Sequence, residues 1–141
     1  MNDQYKNSYK ATAKELVSLS VYNVGYQLCD AGYQWGPGIR DHYLIHYVIS
    51  GKGTYEVNNE THFLSAEDAF LVYPNTEITY RADAKTPWEY AWVGFTGSDA
   101  ATILQATDFS RKHPCIHAVP NGEEVKRQLL HIYDARGNGF E

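Results

Sequence analysis

The residues best suited to chemistry in this sequence are aromatic rings that alternate along one predicted strand. Trp88, Tyr90 and Trp92 occupy every second position, and Gly94 follows them. Successive side chains of a strand point to opposite faces, so these three rings share one face. Indole and phenol rings stack on the apolar face of a sugar while their N–H and O–H groups bond its hydroxyls. The row therefore predicts a platform for a small polar ligand, and an ordinary aromatic core is the alternative.

Polar residues that a plain core would avoid are predicted to lie near this platform. Arg40, His42 and His46 belong to the strongest strand and its approach, and Tyr80 belongs to the strand that precedes the platform. A buried polar group costs free energy unless it is hydrogen-bonded. Polar partners beside aromatic rings therefore favour a ligand site over a core alone.

The histidines do not predict a metal centre. His42 and His46 share a face but stand about 13 Å apart at the rise of a strand, too far to chelate one ion. His113, Cys115 and His117 alternate as well, but Pro114 interrupts them and a fourth ligand is not evident. No serine stands in a nucleophile elbow, and no phosphate-binding loop is complete. We expect no metal, no cofactor and no catalysis.

The composition narrows the function further. The 141 residues suffice for one domain, 14% of them are aromatic, and the net charge is −5. An acidic chain lacks the positive field needed for DNA or an anionic membrane. The sequence has neither a membrane-spanning apolar run nor an apolar signal core, so we expect a cytoplasmic protein without membrane contact. Cys29 and Cys115 form no Cys-x-x-Cys pair and predict free thiols.

The elements that must position these residues are short strands followed by helices. The glycine-rich stretch around Gly32 and Gly36–Gly38 predicts a loop, and Asn58-Asn59 predicts a hairpin turn. The strongest predicted strand, 42–50, shows no clean alternation of polar and apolar residues. We therefore expect both of its faces to be covered. Seven or eight short strands at regular spacing indicate a sandwich or barrel. The predicted strands span 20–28, 42–50, 54–57, 60–64, 69–73, 77–81 and 88–95, with an extended piece at 116–119.

Two helices are predicted beyond Gly97. Ser98 is positioned to cap the first, whose apolar side includes Ala100, Ile103, Leu104 and Thr107. Asn121 and Glu124 resemble a capping box for the second. The second helix carries an apolar stripe and is expected to stop at Gly137. The stripe comprises Val125, Leu129, Ile132 and Tyr133.

Three runs of sequence resemble a known family. They are HYLIHYVISGKGTY, EDAFLVYPNTEITYRAD and PWEYAWVGFTG, and together they are similar to the N-terminal sensing domain of AraC-family transcription regulators. The similarity covers residues 21–97. It looks closest to the branch from low-GC Gram-positive bacteria that controls sugar-utilisation operons, such as raffinose or multiple-sugar regulators.

The resemblance implies a mainly β fold with C-terminal α structure. The expected architecture is a cupin-like double-stranded β-helix, a jelly-roll barrel followed by two helices. It divides the chain into an N-terminal arm (1–19), a sensing barrel (20–119) and the start of the dimerisation helices (120–141). It further implies a saccharide effector, a homodimer, and DNA contact only through a C-terminal helix-turn-helix domain absent from this chain.

The resemblance also implies roles for individual residues. Tyr80 and Trp92 match a tyrosine and a tryptophan that hold the sugar in arabinose-binding members, and Tyr90 stands where those members have histidine. Arg40 is the candidate for their pocket arginine, and His46 points inward from the preceding strand together with Leu44 and Val48. The full expected ligand-binding set is Arg40, His46, Tyr80, Trp88, Tyr90 and Trp92.

Two other interpretations stay open on the sequence. One is a metal-dependent cupin enzyme that acts on a sugar or a small acid. The other is a purely dimerising module whose barrel is filled by its own side chains.

Overall fold

The computed structural model describes residues 20–135 of the 141-residue chain. The expected N-terminal arm, residues 1–19, and the predicted helix stop at Gly137 lie outside the described residues. The side chains of Leu129, Ile132 and Tyr133, three members of the predicted stripe, lie outside the description as well. No helix within residues 20–135 is long and apolar enough to cross a membrane.

The described chain consists of short strands and two helices, mostly at the predicted places. The β-branched and aromatic residues form the strands, as their shape favours a pleated sheet. The strands are β1 Ser20–Leu28, β2 Gln34–Ile39, β3 Tyr43–Ser50, β4 Lys52–Val57, β5 Glu60–Ser65, β6 Ala69–Val72, β7 Glu77–Ala82, β8 Glu89–Thr96 and β9 Cys115–Ile116. The helices are α1 Ala100–Leu104 and α2 Gly122–Ala135.

The strands form two antiparallel sheets in jelly-roll order. One sheet runs β1-β8-β3-β6-β9 and the other β2-β7-β4-β5. From β1 to β8 the chain alternates between the sheets at every step except the β4–β5 hairpin, which is the strand order of two interlocked Greek keys. The hairpin turns at Asn58 and Asn59, whose φ angles are 54° and 64°, as the sequence predicted. The expected cupin-type barrel is confirmed.

Apolar residues are buried in two layers on opposite faces of the five-stranded sheet. The inner layer lies between the sheets and contains Tyr55 and Tyr80 facing Phe70 and Tyr90. The outer layer is covered by α1 and by the segment that follows it; its members include Tyr47, Leu71, Ala91, Leu104 and Phe109. Both faces of β3 are therefore buried, as the sequence predicted for this strand.

The prediction of a loop around Gly36 and Pro37 is wrong, because β2 spans this segment. The β2–β7 register shifts between Trp35 and Gly38, so the intervening residues bulge from the ladder. Gly36 has a φ of 100°, which only glycine adopts without strain. β2 is an edge strand, where a proline removes no necessary ladder bond.

The two helix starts also differ from the prediction. Asp99, not Ser98, is the N-cap of α1, and its side chain forms no capping hydrogen bond. α1 ends at Leu104 and does not include Thr107. Asn121 has a φ of 58°, outside the extended geometry of a capping box, and its backbone carbonyl accepts bonds from the amides of Glu124 and Val125.

Candidate functional site

His46 lies at the centre of the inner layer. It is 1% exposed and is surrounded by aromatic rings contributed by three neighbouring strands. The Phe70 ring stacks on the imidazole at 4.5 Å between centroids, with 4° between the planes. The rings of Tyr90, Tyr80 and Trp92 follow at 4.8, 4.9 and 5.8 Å. A single polar ring is thus enclosed by aromatic neighbours.

The strand register explains this arrangement. On β3, His46 pairs with Phe70 of β6 on one side and with Trp92 of β8 on the other. Directly opposed residues project to the same face, so all three rings meet inside the barrel. Leu44 and Val48, two positions away on either side, are buried in the same layer. The inward set predicted for this strand is confirmed.

Burial keeps the His46 imidazole neutral. Loss of solvation and, to a smaller extent, the positive charge of Arg40 together lower the pKa of His46 to about 3. Its Nδ1 atom is buried and has no hydrogen-bond partner. A neutral imidazole offers one donor and one acceptor, so His46 can bond a neutral ligand in either role.

Arg40 and Tyr80 form the polar side of the cluster. Arg40 Nη2 donates a hydrogen bond to the Tyr80 hydroxyl at 3.1 Å. The guanidinium carbon lies 3.9 Å from the centroid of the Trp35 ring, and the Trp35 ring stacks on Tyr80. Arg40 Nε is buried without a partner. Burial raises the pKa of the Tyr80 phenol, so it remains a neutral donor.

Trp88, Tyr90 and Trp92 face the interior together, as their alternation predicted, but at different depths. Trp88 immediately precedes β8 and is fully buried, with its ring against Gly53 and its Nε1 atom without a partner. Tyr90 is also buried, and burial raises the pKa of its phenol. Trp92 is half-buried and lies against Gly25, where an added Cβ would come within 2.0 Å of the indole. Trp92 is thus the member of the row closest to solvent.

The structure brings all six predicted residues into one connected cluster. His46, Tyr80, Tyr90 and Trp92 are in ring contact, and Arg40 joins them through Tyr80. Trp88 contacts Tyr90 at 5.6 Å and lies behind it. His42 is buried near Gly94 and pairs with exposed Asp41 instead of joining His46.

Two residues of this cluster were not singled out in the sequence. Trp35 belongs to a segment whose glycines and proline predict a loop, so the sequence offered no reason to place its ring inside the barrel. Phe70 stood in a continuous apolar run, AFLV, in which all four residues are buried and no alternation marks the inner face. Pairing with β3 is what assigns Phe70 to the interior, and the sequence carries no local signal for that pairing.

Two cavities of the described residues lie away from this cluster. One of about 580 Å³ lies at the β4–β5 hairpin beside the start of β7, and another of about 530 Å³ lies between α1 and the Tyr43 and Tyr73 rings. Neither is lined by His46, Trp92 or Arg40. The cluster around His46 is closely packed by its own side chains, with Trp35, Arg40 and Trp92 half-buried at its boundary.

The donors around His46 do not fit a metal ion. The cluster supplies one imidazole, phenol oxygens and a guanidinium, whereas transition metals need three or four His, Cys, Asp or Glu ligands. Among the side chains that the structure describes, no three such groups are close enough to hold an ion. Cys115 packs against the inner layer and His117 Nδ1 lies 3.2 Å from Asp68 Oδ2, so the alternating His-x-Cys-x-His residues do not converge.

Comparison with known proteins identifies regulators as relatives. The Msm operon regulatory protein of Streptococcus mutans is 42% identical over 97 residues, which cover 69% of this chain and 35% of that protein. The raffinose operon transcriptional regulatory protein of Pediococcus pentosaceus is 37% identical over 127 residues, 89% of this chain and 46% of that protein. The chain thus spans less than half the length of these two curated relatives.

A solved structure and a family model complete the comparison. An RmlC-like cupin from Shewanella frigidimarina is similar at 18% identity with a TM-score of 0.48, over 59% of this chain and 70% of that chain. The model of the AraC-like ligand-binding domain matches residues 20–139, which include the entire barrel and both helices. The chain therefore belongs to the family of AraC-like ligand-binding domains.

Proposed function

We propose that this domain binds a saccharide beside His46 and that its occupancy controls a transcription regulator. The observation that carries the proposal is a pair of buried polar atoms without partners, His46 Nδ1 and Arg40 Nε, in one aromatic cluster. Leaving such groups unpaired costs free energy, so native proteins rarely bury them without a bonding partner. A ligand that carries hydroxyls satisfies both atoms and stacks on the surrounding rings.

The proposed ligand enters past the half-buried boundary of the cluster. The sugar ring stacks on Trp92, while its hydroxyls bond to Arg40, His46, Tyr80 and Tyr90. Trp88 forms the floor behind Tyr90, where its unpaired Nε1 is available to a hydroxyl or a water molecule. Because the cluster is closely packed, binding requires Trp92 to move outward.

Regulation is proposed to follow from that movement. The two curated relatives are named as regulators of the Msm and raffinose operons, and both extend well beyond the length that this chain covers. We propose that a homodimer formed through α2 places DNA-binding domains, which lie outside this chain, on the operator in the cytoplasm. A ligand shifts such an assembly only through different affinities for its two arrangements.

A saccharide panel tests the proposal. The domain is heated with raffinose, lactose, melibiose, galactose or glucose, and the melting temperature is recorded. A sugar at 100 times its Kd stabilises the folded state by about 2.7 kcal/mol. This corresponds to a rise of roughly 5–10 °C in Tm for a domain of this size.

Two variants localise any response. Trp92→Ala is expected to abolish the sugar-dependent rise in Tm, because it removes the stacking surface. Phe63→Ala is the matched control, since Phe63 is an aromatic residue 73% exposed on β5 and absent from the inner layer. An undiminished rise in Trp92→Ala would place the pocket elsewhere, and no rise with any sugar would favour a barrel filled by its own side chains.

A further inference from the structure

Trp35 occupies a defined place between β2 and β7. It pairs with Tyr80 in the register of these strands, and the two rings stack at 5.6 Å with 12° between their planes. The indole also lies against the backbone of its own strand, because a Cβ at Gly38 would come within 2.8 Å of Trp35 Cη2. Trp35 is therefore held by Tyr80 and by the β2 bulge.

The Arg40 guanidinium rests on this ring. Its carbon is 3.9 Å from the indole centroid, within the range of a cation–π contact. The hydrogen bond from Arg40 Nη2 to the Tyr80 hydroxyl restricts rotation of the guanidinium about the axis perpendicular to the indole ring. No carboxylate among the described residues forms an ion pair with Arg40. Two aromatic residues thus set the position of a cation, and Nε remains without an acceptor.

We propose that Trp35 is a positioning residue that fixes the plane of the Arg40 guanidinium for ligand recognition. In this position Arg40 Nε–H and the Tyr80 hydroxyl present two neighbouring donors, which match two adjacent oxygens such as the vicinal diol of a saccharide. A planar guanidinium held on a ring loses less freedom on binding than a mobile one. The ligand class rests on the proposed function, whereas the positioning of Arg40 does not.

The positioning is tested without any sugar. In proton–nitrogen NMR spectra of the domain, the Arg40 Nε–H signal is expected to be shifted by the indole ring current and protected from fast exchange with water. Trp35→Leu should remove the shift and speed exchange, while Trp35→Phe should retain part of both. An Arg40 signal that is the same in Trp35→Leu and in wild type overturns the inference, whatever the sugar panel shows.

The consequence for recognition is tested with raffinose and lactose as probes. Trp35→Leu is expected to weaken binding by about 5- to 30-fold, the range for a partly desolvated cation–π contact. In an Arg40→Lys background the same substitution should have little further effect on affinity. The lysine ammonium has no planar group to stack on the indole and no fixed arrangement of donors for Trp35 to orient. Phe63→Leu should leave affinity unchanged.

The outcomes separate the two proposals. If wild type binds a probe and the losses from Trp35→Leu and Arg40→Lys simply multiply, Trp35 acts independently of Arg40 and the inference is overturned. If the Arg40 signal behaves as expected but neither probe nor any sugar of the panel binds, the saccharide proposal fails while the positioning role stands. Recovery of affinity in Trp35→Phe, at unchanged Tm, supports positioning over a structural effect on the barrel.

Discussion

His46 is the residue at which burial and polarity conflict most directly. Its ring sits among Phe70, Tyr80, Tyr90 and Trp92, where an imidazolium would lose nearly all of its hydration. Two effects lower the pKa of His46: this loss of hydration, which is the larger, and the positive charge of Arg40. The residue therefore acts as a neutral hydrogen-bonding group at any physiological pH.

The titration of His46 predicts a slope of stability with pH. Its pKa is about 3 in the folded protein against an ordinary value of 6.5. Between these values the unfolded chain binds the additional proton, so the free energy of unfolding is highest above pH 6.5 and falls as the pH drops towards 3. One proton corresponds to at most about 1.4 kcal/mol per pH unit.

Urea unfolding between pH 7 and pH 4.5 measures this contribution. His46→Gln is expected to be less sensitive to acid than wild type, since glutamine does not titrate. His113→Gln, at an exposed histidine, serves as the control and should keep the wild-type slope. Equal slopes in His46→Gln and wild type would contradict the assignment.

At the scale of elements, one carboxylate joins the barrel to the approach of α2. Asp68, in the β5–β6 turn, is 7% exposed and accepts bonds from the amides of Ser65 at 2.8 Å and Ala118 at 2.9 Å. His117 Nδ1 lies 3.2 Å from the same carboxylate. A few residues later α2 begins against β3, where a Cβ at Gly122 would come within 2.5 Å of the Tyr47 hydroxyl oxygen. The start of α2 is thus tied to the outer face of the barrel.

Asp68→Ala is expected to loosen this junction. It removes the acceptor of two part-buried hydrogen bonds, those from the Ser65 and Ala118 amides, and a hydrogen bond to a charged group contributes about 1.5–3 kcal/mol. Hydrogen exchange at the Ala118 amide should become at least tenfold faster, with a smaller effect at Val119, whose amide bonds the Glu67 carbonyl.

Asp83→Ala provides a matched control for that experiment. Asp83 also accepts two backbone amides, those of Lys85 and Thr86 at 2.9 Å each, but only within its own turn. Exchange at Ala118 should remain at the wild-type rate in this variant. A similar acceleration in both variants would mean that Asp68 stabilises the domain generally and not this junction.

For the whole molecule, the two buried layers share the strands that separate them. Neighbouring residues of one strand belong to different layers, such as His46 and Tyr47 on β3 or Tyr90 and Ala91 on β8. The protein contains three tryptophans, and all of them lie in or against the inner layer. Tryptophan fluorescence therefore reports on the inside of the barrel alone.

This arrangement predicts a single unfolding transition. Phe109→Ala removes a buried ring from the outer layer and is expected to cost about 3 kcal/mol. Tryptophan fluorescence and far-ultraviolet circular dichroism should shift together to lower urea concentration, because losing the outer layer destabilises shared strands. Ile103→Ala, at a residue 44% exposed on α1, should shift both curves little. A fluorescence curve that stays in place while the dichroism curve shifts would show that the layers unfold separately.

The sequence by itself determined the strands, the hairpin at Asn58-Asn59 and the shared face of Trp88, Tyr90 and Trp92, because alternation and turn residues are local properties. It also carried the family resemblance that the comparison confirmed. It could not place β2, since the glycines that predict a loop are also what permits the bulge in an edge strand.

Only the tertiary structure decided which residues surround His46 and how. Phe70 contacts His46, and Trp35 contacts the neighbouring Tyr80, through pairings between strands that are distant along the chain. No local pattern of the sequence records those pairings. The depth of each ring was likewise set by the second sheet, which buries Trp88 completely and leaves Trp92 at the boundary. Residue types and their spacing are properties of the sequence. The contacts, the burial and the unpaired atoms of Arg40 and His46 arise only when the two sheets pack against each other.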